Sequence, residues 1–313
     1  MAVSHTPDKN PLLIVIAGPT AVGKTAVAIE VAKQLGTVIL SADSRQCFKE
    51  LNIGVARPST EELNAVPHYF IASHSIHDAM SAAIYEAYAL DLLEQLFDQY
   101  PVIVVTGGTG LYIKALLDGM DPIPSIPEEL RKRIIAFYNT NGIEWLKQEL
   151  QLKDPLFAAR GEMQNPRRMM RALEVMESTG RSILEYQSNH KAERFFNSLC
   201  IGLELPRAML YERIDQRVYT MMAAGLEEEV KSLRPLRTAN ALQTVGYQEL
   251  FHYFDGMLTK DQAIHQIQRN TRHYAKRQLT WFKKQAAFHW LDATAAQSVI
   301  LPFIQPYLPE TKK

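Results

Sequence analysis

At 313 residues, 47% hydrophobic and 22% charged, the chain has the composition of a soluble protein with room for one large α/β domain and a smaller insertion, which excludes a low-complexity chain. Basic and acidic side chains balance at 34 each, so no global charge names a polyanionic partner, although a local basic surface is still allowed. The two cysteines, Cys47 and Cys200, are too few and too far apart for a disulfide framework or a zinc site. Residues 1–10 are polar without a signal-like apolar core, and the next apolar run is too short to span a membrane. A cytoplasmic protein with reduced thiols is expected.

The apolar run Leu12-Leu13-Ile14-Val15-Ile16-Ala17 has strand length. It leads directly into Gly18-Pro19-Thr20-Ala21-Val22-Gly23-Lys24-Thr25, after which Ala28, Val31, Ala32 and Leu35 recur at helical spacing and Gly36 is placed to end the helix. This is the G-x-x-x-x-G-K-[ST] pattern in its strand–loop–helix context. The glycines let backbone N–H groups converge on phosphate oxygens, and the helix N-terminus adds the positive end of its dipole. Lys24 supplies a cation to the terminal phosphates and Thr25 a hydroxyl for a bound Mg2+. The stretch predicts a di- or triphosphate site.

Val38-Ile39-Leu40 is a short strand running into Ser41-Ala42-Asp43-Ser44-Arg45-Gln46. Ligands of open parallel sheets collect beyond the carboxyl ends of the strands, so Asp43 is expected on the edge that carries the phosphate loop. Its residue type fits a turn or N-cap as well. Pro67-His68-Tyr69-Phe70-Ile71 reads as loop and strand, with His68 structural. Ala79 to Tyr100 is expected as a helix with an apolar stripe at Ile84, Ala87, Leu92 and Leu96. The buried-strand run Val102-Ile103-Val104-Val105 ends in Thr106-Gly107-Gly108-Thr109-Gly110, a second glycine-rich loop expected to line the same pocket.

The proline-rich stretch Asp121–Pro127 marks a domain boundary, dividing a core of residues 1–122 and 199–313 from a helical insertion, 123–198. Within the insertion, Leu130, Ile134 and Phe137 form one stripe and Ile143, Leu146 and Leu150 another. Asn165 and Pro166 read as N-cap and first residue of a helix that Gly180 closes. Arg167, Arg168 and Arg171 lie in its first two turns, where the macrodipole favours acids. An anionic partner explains them; a solvated basic face is the alternative.

Strand character returns at Leu199–Leu205. The following helix buries Leu210, Ile214 and Val218, leaving Arg213 and Arg217 on an adjacent face, open to pairing with Glu212 or Asp215. Leu226 to Leu233 is an acidic amphipathic helix, and Ala241 to Tyr247 a loop into the next helix. From Ile267 to Gln285, Arg269, Arg272, Lys276, Arg277, Lys283 and Lys284 occur without a single acid. Tyr274, Trp281 and Phe282 interleave with them, and the cations form a strip suited to a polyanion backbone.

Taken in order, GPTAVGKT at Gly18–Thr25, SADSRQ at Ser41–Gln46, GGTGLY at Gly107–Tyr112, NPRRMMRALEV at Asn165–Val175, GYQEL at Gly246–Leu250 and TRHYAKRQLTWF at Thr271–Phe282 resemble the tRNA dimethylallyltransferases, also called tRNA isopentenyltransferases. The resemblance runs from about Leu12 to Asp292. It implies a P-loop NTPase-like parallel-sheet core with a helical insertion domain. It also implies transfer of a dimethylallyl group from dimethylallyl diphosphate to the exocyclic amine of the adenosine 3′ of the anticodon, at tRNA position 37. The phosphate loop then holds a prenyl diphosphate with Mg2+, and no nucleoside triphosphate is required.

By the same resemblance Asp43 hydrogen-bonds the amine and acts as general base, while Thr20 and Arg217 attend the diphosphate. Contacts to tRNA fall to Asp43, Ser44, Arg45, Gln46, Thr109 and Arg131, to Arg167, Arg168, Met169, Met170 and Arg171, and to Gly246, Tyr247, Lys276 and Arg277. The insertion is expected to grip the anticodon stem-loop. Cys47-Phe48, Val55 and Ala72 depart from the family pattern, where a hydrophobic-Tyr pair, a threonine and an acid are common. Nothing in the sequence calls for an obligate oligomer, and a monomer is expected.

Three other readings share parts of this pattern. A phosphate-loop small-molecule kinase uses the same loop and an aspartate base but leaves the basic last helix unexplained. Prenyl transfer to a free adenine nucleotide leaves that helix and the insertion unexplained. An RNA-binding protein with an inactive phosphate loop has no need of an intact Lys24, Thr25 and Asp43.

Overall fold

A computed structural model describes residues 11–187 and 191–309. Residues 1–10, read above as lacking a signal-like core, lie outside the described residues. Six strands form one sheet: β1 (Leu12–Ala17), β2 (Ile39–Ser41), β3 (His68–Tyr69), β4 (Val102–Gly107), β5 (Asn197–Glu204) and β6 (Phe288–Asp292). All pairings are parallel, in the order β3-β2-β4-β1-β5-β6. Every residue of β1 and β4 is buried, as expected of central parallel strands covered on both faces. The two-residue period divides β1 between the faces: Leu13 and Val15 enter one core, Ile14 and Ile16 the other.

The register positions the site. Ala17 lies opposite Gly107, and Ser41 opposite Thr106. The loops that follow β1, β2 and β4 therefore leave the sheet side by side along its carboxyl edge. The helix Lys24–Leu35 returns from the first of these loops and ends at Gly36, whose φ of 60° and N–H bonds to the Ala32 and Lys33 carbonyls close it.

One expectation is corrected here and one element is added. The helix after the second crossover spans Ala82–Phe97 and buries Tyr85, Ala89, Leu93 and Leu96, whereas Ile84 is 41% exposed. Aromatic Tyr85 takes the core position because it stacks on Tyr112, at 4.4 Å between centroids. The sequence reading also left β6 unassigned: it is an edge strand, half exposed, and its mixed Phe-His-Trp-Leu-Asp pattern lacks the continuous apolar run of β1 and β4.

The remaining residues, Asp118–Ala192, form a compact unit of their own. Residues from Glu193 onward belong with the sheet, where Arg194 donates to Glu86 at 2.6 Å and to the Ala115 carbonyl at 2.7 Å. Within the helical unit, Glu128–Lys153 is broken at Gly142 (φ 74°, ψ −168°), and Pro155–Arg160 and Pro166–Thr179 follow. Ile134, Leu146, Leu150, Phe157, Met169 and Leu173 make its core. Phe137 is not part of it; half exposed, it stacks on Trp145. Asp154 is fully buried, accepting from Phe157 N–H and from Ser182 Oγ, both at 2.9 Å, so its polar atoms are matched.

Candidate active site

The phosphate loop closes around its own lysine. Lys24 Nζ donates to the Pro19 carbonyl at 2.8 Å. Ala21 sits at φ 65°, a strained setting for a residue with a Cβ and one that surrounding contacts must hold. Burial of the ammonium and the nearby Arg217 guanidinium lower the pKa of Lys24 to about 8, with the Asp43 carboxylate opposing. Lysine, arginine and aspartate thus share one electrostatic environment.

Arg217 Nη1 donates to Thr20 Oγ1 at 3.4 Å, and Arg213 Nη1 to the Val22 carbonyl at 3.3 Å. Neither is ion-paired with Glu212 or Asp215 among the described residues; Asp215 is instead taken by Arg272 at 3.0 Å. Two guanidinium groups therefore face the loop Gly18–Thr25. They complement the N–H groups at the start of helix Lys24–Leu35 for an anion.

Beyond β2, Asp43 Oδ1 accepts from Arg45 N–H at 2.9 Å and Gln46 N–H at 3.3 Å. This is the turn role that its residue type allowed. Among the described residues its second oxygen accepts no hydrogen bond, so the turn and a chemical role are compatible. Thr109 ties the two loops together. Its Oγ1 accepts from Ser44 N–H at 3.0 Å, and its N–H donates to the Ala42 carbonyl at 3.2 Å. The approach is so close that a Cβ on Gly107 would lie 2.3 Å from the Ala42 carbonyl oxygen.

The Asp43 carboxylate is felt on several sides. Burial first, then Asp43, push the Cys47 thiol up to about 12. Burial and then Asp43 likewise raise the Tyr274 hydroxyl to about 12, although the ring is 37% exposed. Cys47 and Phe48 are buried, so this departure from the family pattern alters the packed floor beneath Asp43. Val55 contributes its carbonyl, to Gln46 Nε2 at 3.2 Å, and a missing threonine hydroxyl leaves that bond intact. Ala72 donates its N–H to the Gln46 carbonyl at 2.9 Å.

Sequence reasoning missed Gln278. It lies on helix Lys260–Lys283, buried, and its Oε1 accepts from Thr20 N–H at 2.8 Å while Nε2 donates to the Gly108 carbonyl at 2.9 Å. One side-chain amide thereby joins the phosphate loop to the loop after β4. The signal was present: Ile267, Ala275, Gln278 and Phe282 share the buried phase of the helix, and an amide among apolar core positions needs a partner. On the opposite face Arg269, Lys276, Arg277 and Lys284 are exposed, while Lys283 is held by Glu204 at 2.6 Å.

Tyr247 is fully buried and donates to Glu229 Oε1 at 2.6 Å, so its side chain presents no surface to RNA; Gly246 precedes it at the head of helix Tyr247–Phe254. In the helical unit Met169 is likewise a core residue, with no exposed surface, and Met170 is half-buried. Arg168 pairs with Glu162, and Arg171 and Arg131 flank the buried Glu174 at 3.3 and 3.7 Å. Arg167 is exposed and has no acidic partner among the described residues.

Among those residues, no three His, Cys, Asp or Glu side chains cluster as a metal site. What the phosphate loop offers is the half-buried Thr25 hydroxyl on the first turn of its helix. Such a donor set fits Mg2+, which takes most of its ligands from phosphate oxygens and water.

Fold and site together define a phosphate-loop α/β protein with a carboxylate on the same sheet edge, one strand removed from the loop. The IPP transferase family model matches residues 46–285. The chain is 47% identical over 301 residues to the tRNA dimethylallyltransferase of Cytophaga hutchinsonii, covering 96% of this chain and 99% of the relative. The solved tRNA isopentenylpyrophosphate transferase of Bacillus halodurans superposes with a TM-score of 0.71 at 35% identity, over 95% of this chain and 97% of that one. A eukaryotic dimethylallyltransferase acting on tRNA shares the fold, with a TM-score of 0.77 at 23% identity over 97% and 81% of the two chains. This chain belongs to the IPP transferase family.

Proposed function

We propose that the chain transfers a dimethylallyl group from dimethylallyl diphosphate to the exocyclic amine of a tRNA adenosine next to the anticodon. The observation that carries this reading is the convergence of Lys24, Arg217 and Thr20 with the Asp43 carboxylate along one sheet edge. An exocyclic adenine amine is a poor nucleophile, so it must be held close to the allylic carbon and must lose a proton. Its nitrogen attacks that carbon, the carbon–oxygen bond breaks with its electron pair leaving on diphosphate, and the proton passes to Asp43. The phosphate-loop N–H groups, Lys24 and Arg217 hold the charge that builds on the leaving group, and Thr20 lies beside the bridging oxygen. Mg2+ at Thr25, when bound, supplies further charge neutralisation on the diphosphate.

The base must leave its stack in the anticodon loop to reach this edge. Asp43-Ser44-Arg45-Gln46 and Thr109 form its receiving side. Lys276, Arg277 and the helical unit's Arg131, Arg167, Arg168 and Arg171 contribute charge to the RNA backbone. Among the described residues no helix is long and apolar enough to cross a membrane.

The test is an incubation with dimethylallyl diphosphate and Mg2+, offering an unmodified anticodon stem-loop or AMP as acceptor, and in parallel ATP. Prenylated stem-loop is expected. Prenyl-AMP without RNA product would sink the tRNA assignment, and phosphorylation from ATP alone would sink prenyl transfer.

Two further outcomes follow from the geometry. Because Lys24 stands at about 8 in the free protein and an adjacent diphosphate favours its charged form, binding should draw a proton onto it above that pH. Diphosphate affinity is expected to fall as pH rises past 8, whereas a Lys24→Met variant should bind more weakly and with less of that pH dependence. Titration calorimetry across the range reads both, and parallel curves would exclude Lys24. Arg167→Ala should reduce the slope of log affinity for the stem-loop against log salt by about 0.7–0.9, one phosphate contact. Lys283→Ala, whose cation Glu204 already holds, should change it less; the reverse ranking would return Arg167 to the solvated face.

A further inference from the structure

The proposed acceptor loop is supported from behind by a carboxylate to which the reaction itself gives no role. Glu229, on helix Leu226–Ser232, accepts three successive backbone N–H groups: Asn52 at 3.2 Å, Ile53 at 2.7 Å and Gly54 at 3.0 Å. Successive N–H groups converging on one anion form a nest, here filled by a side chain from a distant part of the chain. Tyr247 orients that carboxylate by donating at 2.6 Å. Its ring lies so close under Gly54 that a Cβ there would approach within 2.6 Å.

The segment held this way continues into Val55 and Ala56, whose carbonyls accept from Gln46 Nε2 at 3.2 and 2.8 Å. Ala56 sits at φ 49°, a conformation that persists only where neighbours enforce it. Gln46 N–H in turn is one of the two donors to Asp43 Oδ1. An unbroken path of contacts therefore runs from Tyr247 through Glu229, residues 52–56 and the Gln46 amide to Asp43.

We infer that Glu229, oriented by Tyr247, is a positioning residue that sets the Asp43–Gln46 turn for the acceptor base, an inference that rests on the activity proposed above. It gives the buried Tyr247 a function compatible with its burial. Misplacing a reacting group by about 1 Å costs on the order of a hundredfold in rate. A glutamine at 229 keeps the shape but turns an N–H₂ toward backbone donors, and loss of the Tyr247 hydroxyl removes only the orienting bond.

The experiment is a double-mutant cycle on single-turnover prenylation of the stem-loop, both substrates saturating, with melting temperature and RNA affinity measured for each protein. E229Q is expected to slow transfer about 10- to 100-fold and Y247F by less, with RNA affinity near that of the unaltered protein. In a Gln46→Ala background, E229Q should add little, because the contact through which it acts is already gone. Independent multiplication of the two defects would overturn the inference, since a general loss of stability does not depend on Gln46. Wild-type transfer rates for E229Q and Y247F would overturn it as well. Should E229Q not fold, the same cycle is run with Y247F and Q46A. Absence of stem-loop product from the unaltered protein would instead reject the proposed activity, which keeps the two failures distinct.

Discussion

Asparagine in place of Asp43 is expected to reduce prenyl transfer by about 10²- to 10⁴-fold, the usual contribution of a positioned proton acceptor, with RNA affinity nearly unchanged. The substitution is chosen because it preserves the turn. Its amide oxygen can still accept from the Arg45 and Gln46 N–H groups that Asp43 Oδ1 now holds, so the loop has no reason to move. What is lost is an atom able to take the proton from the attacking amine. A side effect checks the electrostatics independently. Asp43 raises the pKa of Lys24 against the effects of burial and Arg217, so D43N should lower it further and weaken diphosphate binding first at alkaline pH. Single-turnover transfer, with diphosphate affinity followed against pH, measures both. Turnover near the wild-type rate would place the base elsewhere.

Leucine in place of Gln278 should lower kcat/KM for the prenyl donor about 100-fold while sparing RNA affinity. The amide satisfies two buried groups at once, Thr20 N–H and the Gly108 carbonyl. Removing it leaves both without a partner, at about 1–3 kcal/mol each, and frees the phosphate loop from the loop after β4. Q278E is a sharper probe. A carboxylate still accepts from Thr20 N–H but has no proton for the Gly108 carbonyl, and it sets a negative charge beside the proposed diphosphate. Donor affinity should therefore rank wild type above Q278L above Q278E. Were Q278E to bind the donor as well as the wild type, the amide would be structural only.

Much of this site was legible in the residues because strand-end chemistry is local. The loop Gly18–Thr25 follows a continuous apolar strand, and Asp43 follows the next one. Strand order and register then bring both to the same edge, as a parallel sheet requires. What sequence could not supply were bonds between distant segments. Nothing near Arg217 says that its neighbour Asp215 is claimed by Arg272, which leaves the guanidinium to the phosphate loop. Nothing near Tyr247 says that it is buried against Gly54 with its hydroxyl on Glu229, which keeps the side chain of this motif residue from the surface. The helix Ala82–Phe97 went wrong differently. Leu96 is buried as expected, but Ile84, Ala87 and Leu92 are not in the core, because Tyr85, stacked on Tyr112, and with it Ala89 and Leu93 turn the buried face.

The contact between Gly107 and Ala42 also bears on how such a protein can be altered. With a Cβ excluded at Gly107 and the strands locked in register beneath it, the spacing between the loop after β4 and the Asp43 turn is a property of the main chain. Side-chain replacement at the strand ends cannot widen it. Variants selected for bulkier prenyl donors or for other acceptor bases should therefore collect their changes in side chains around the Asp43 carboxylate, Cys47, Tyr112 and Tyr274 among them. Substitutions at Gly107 should be absent from such selections altogether.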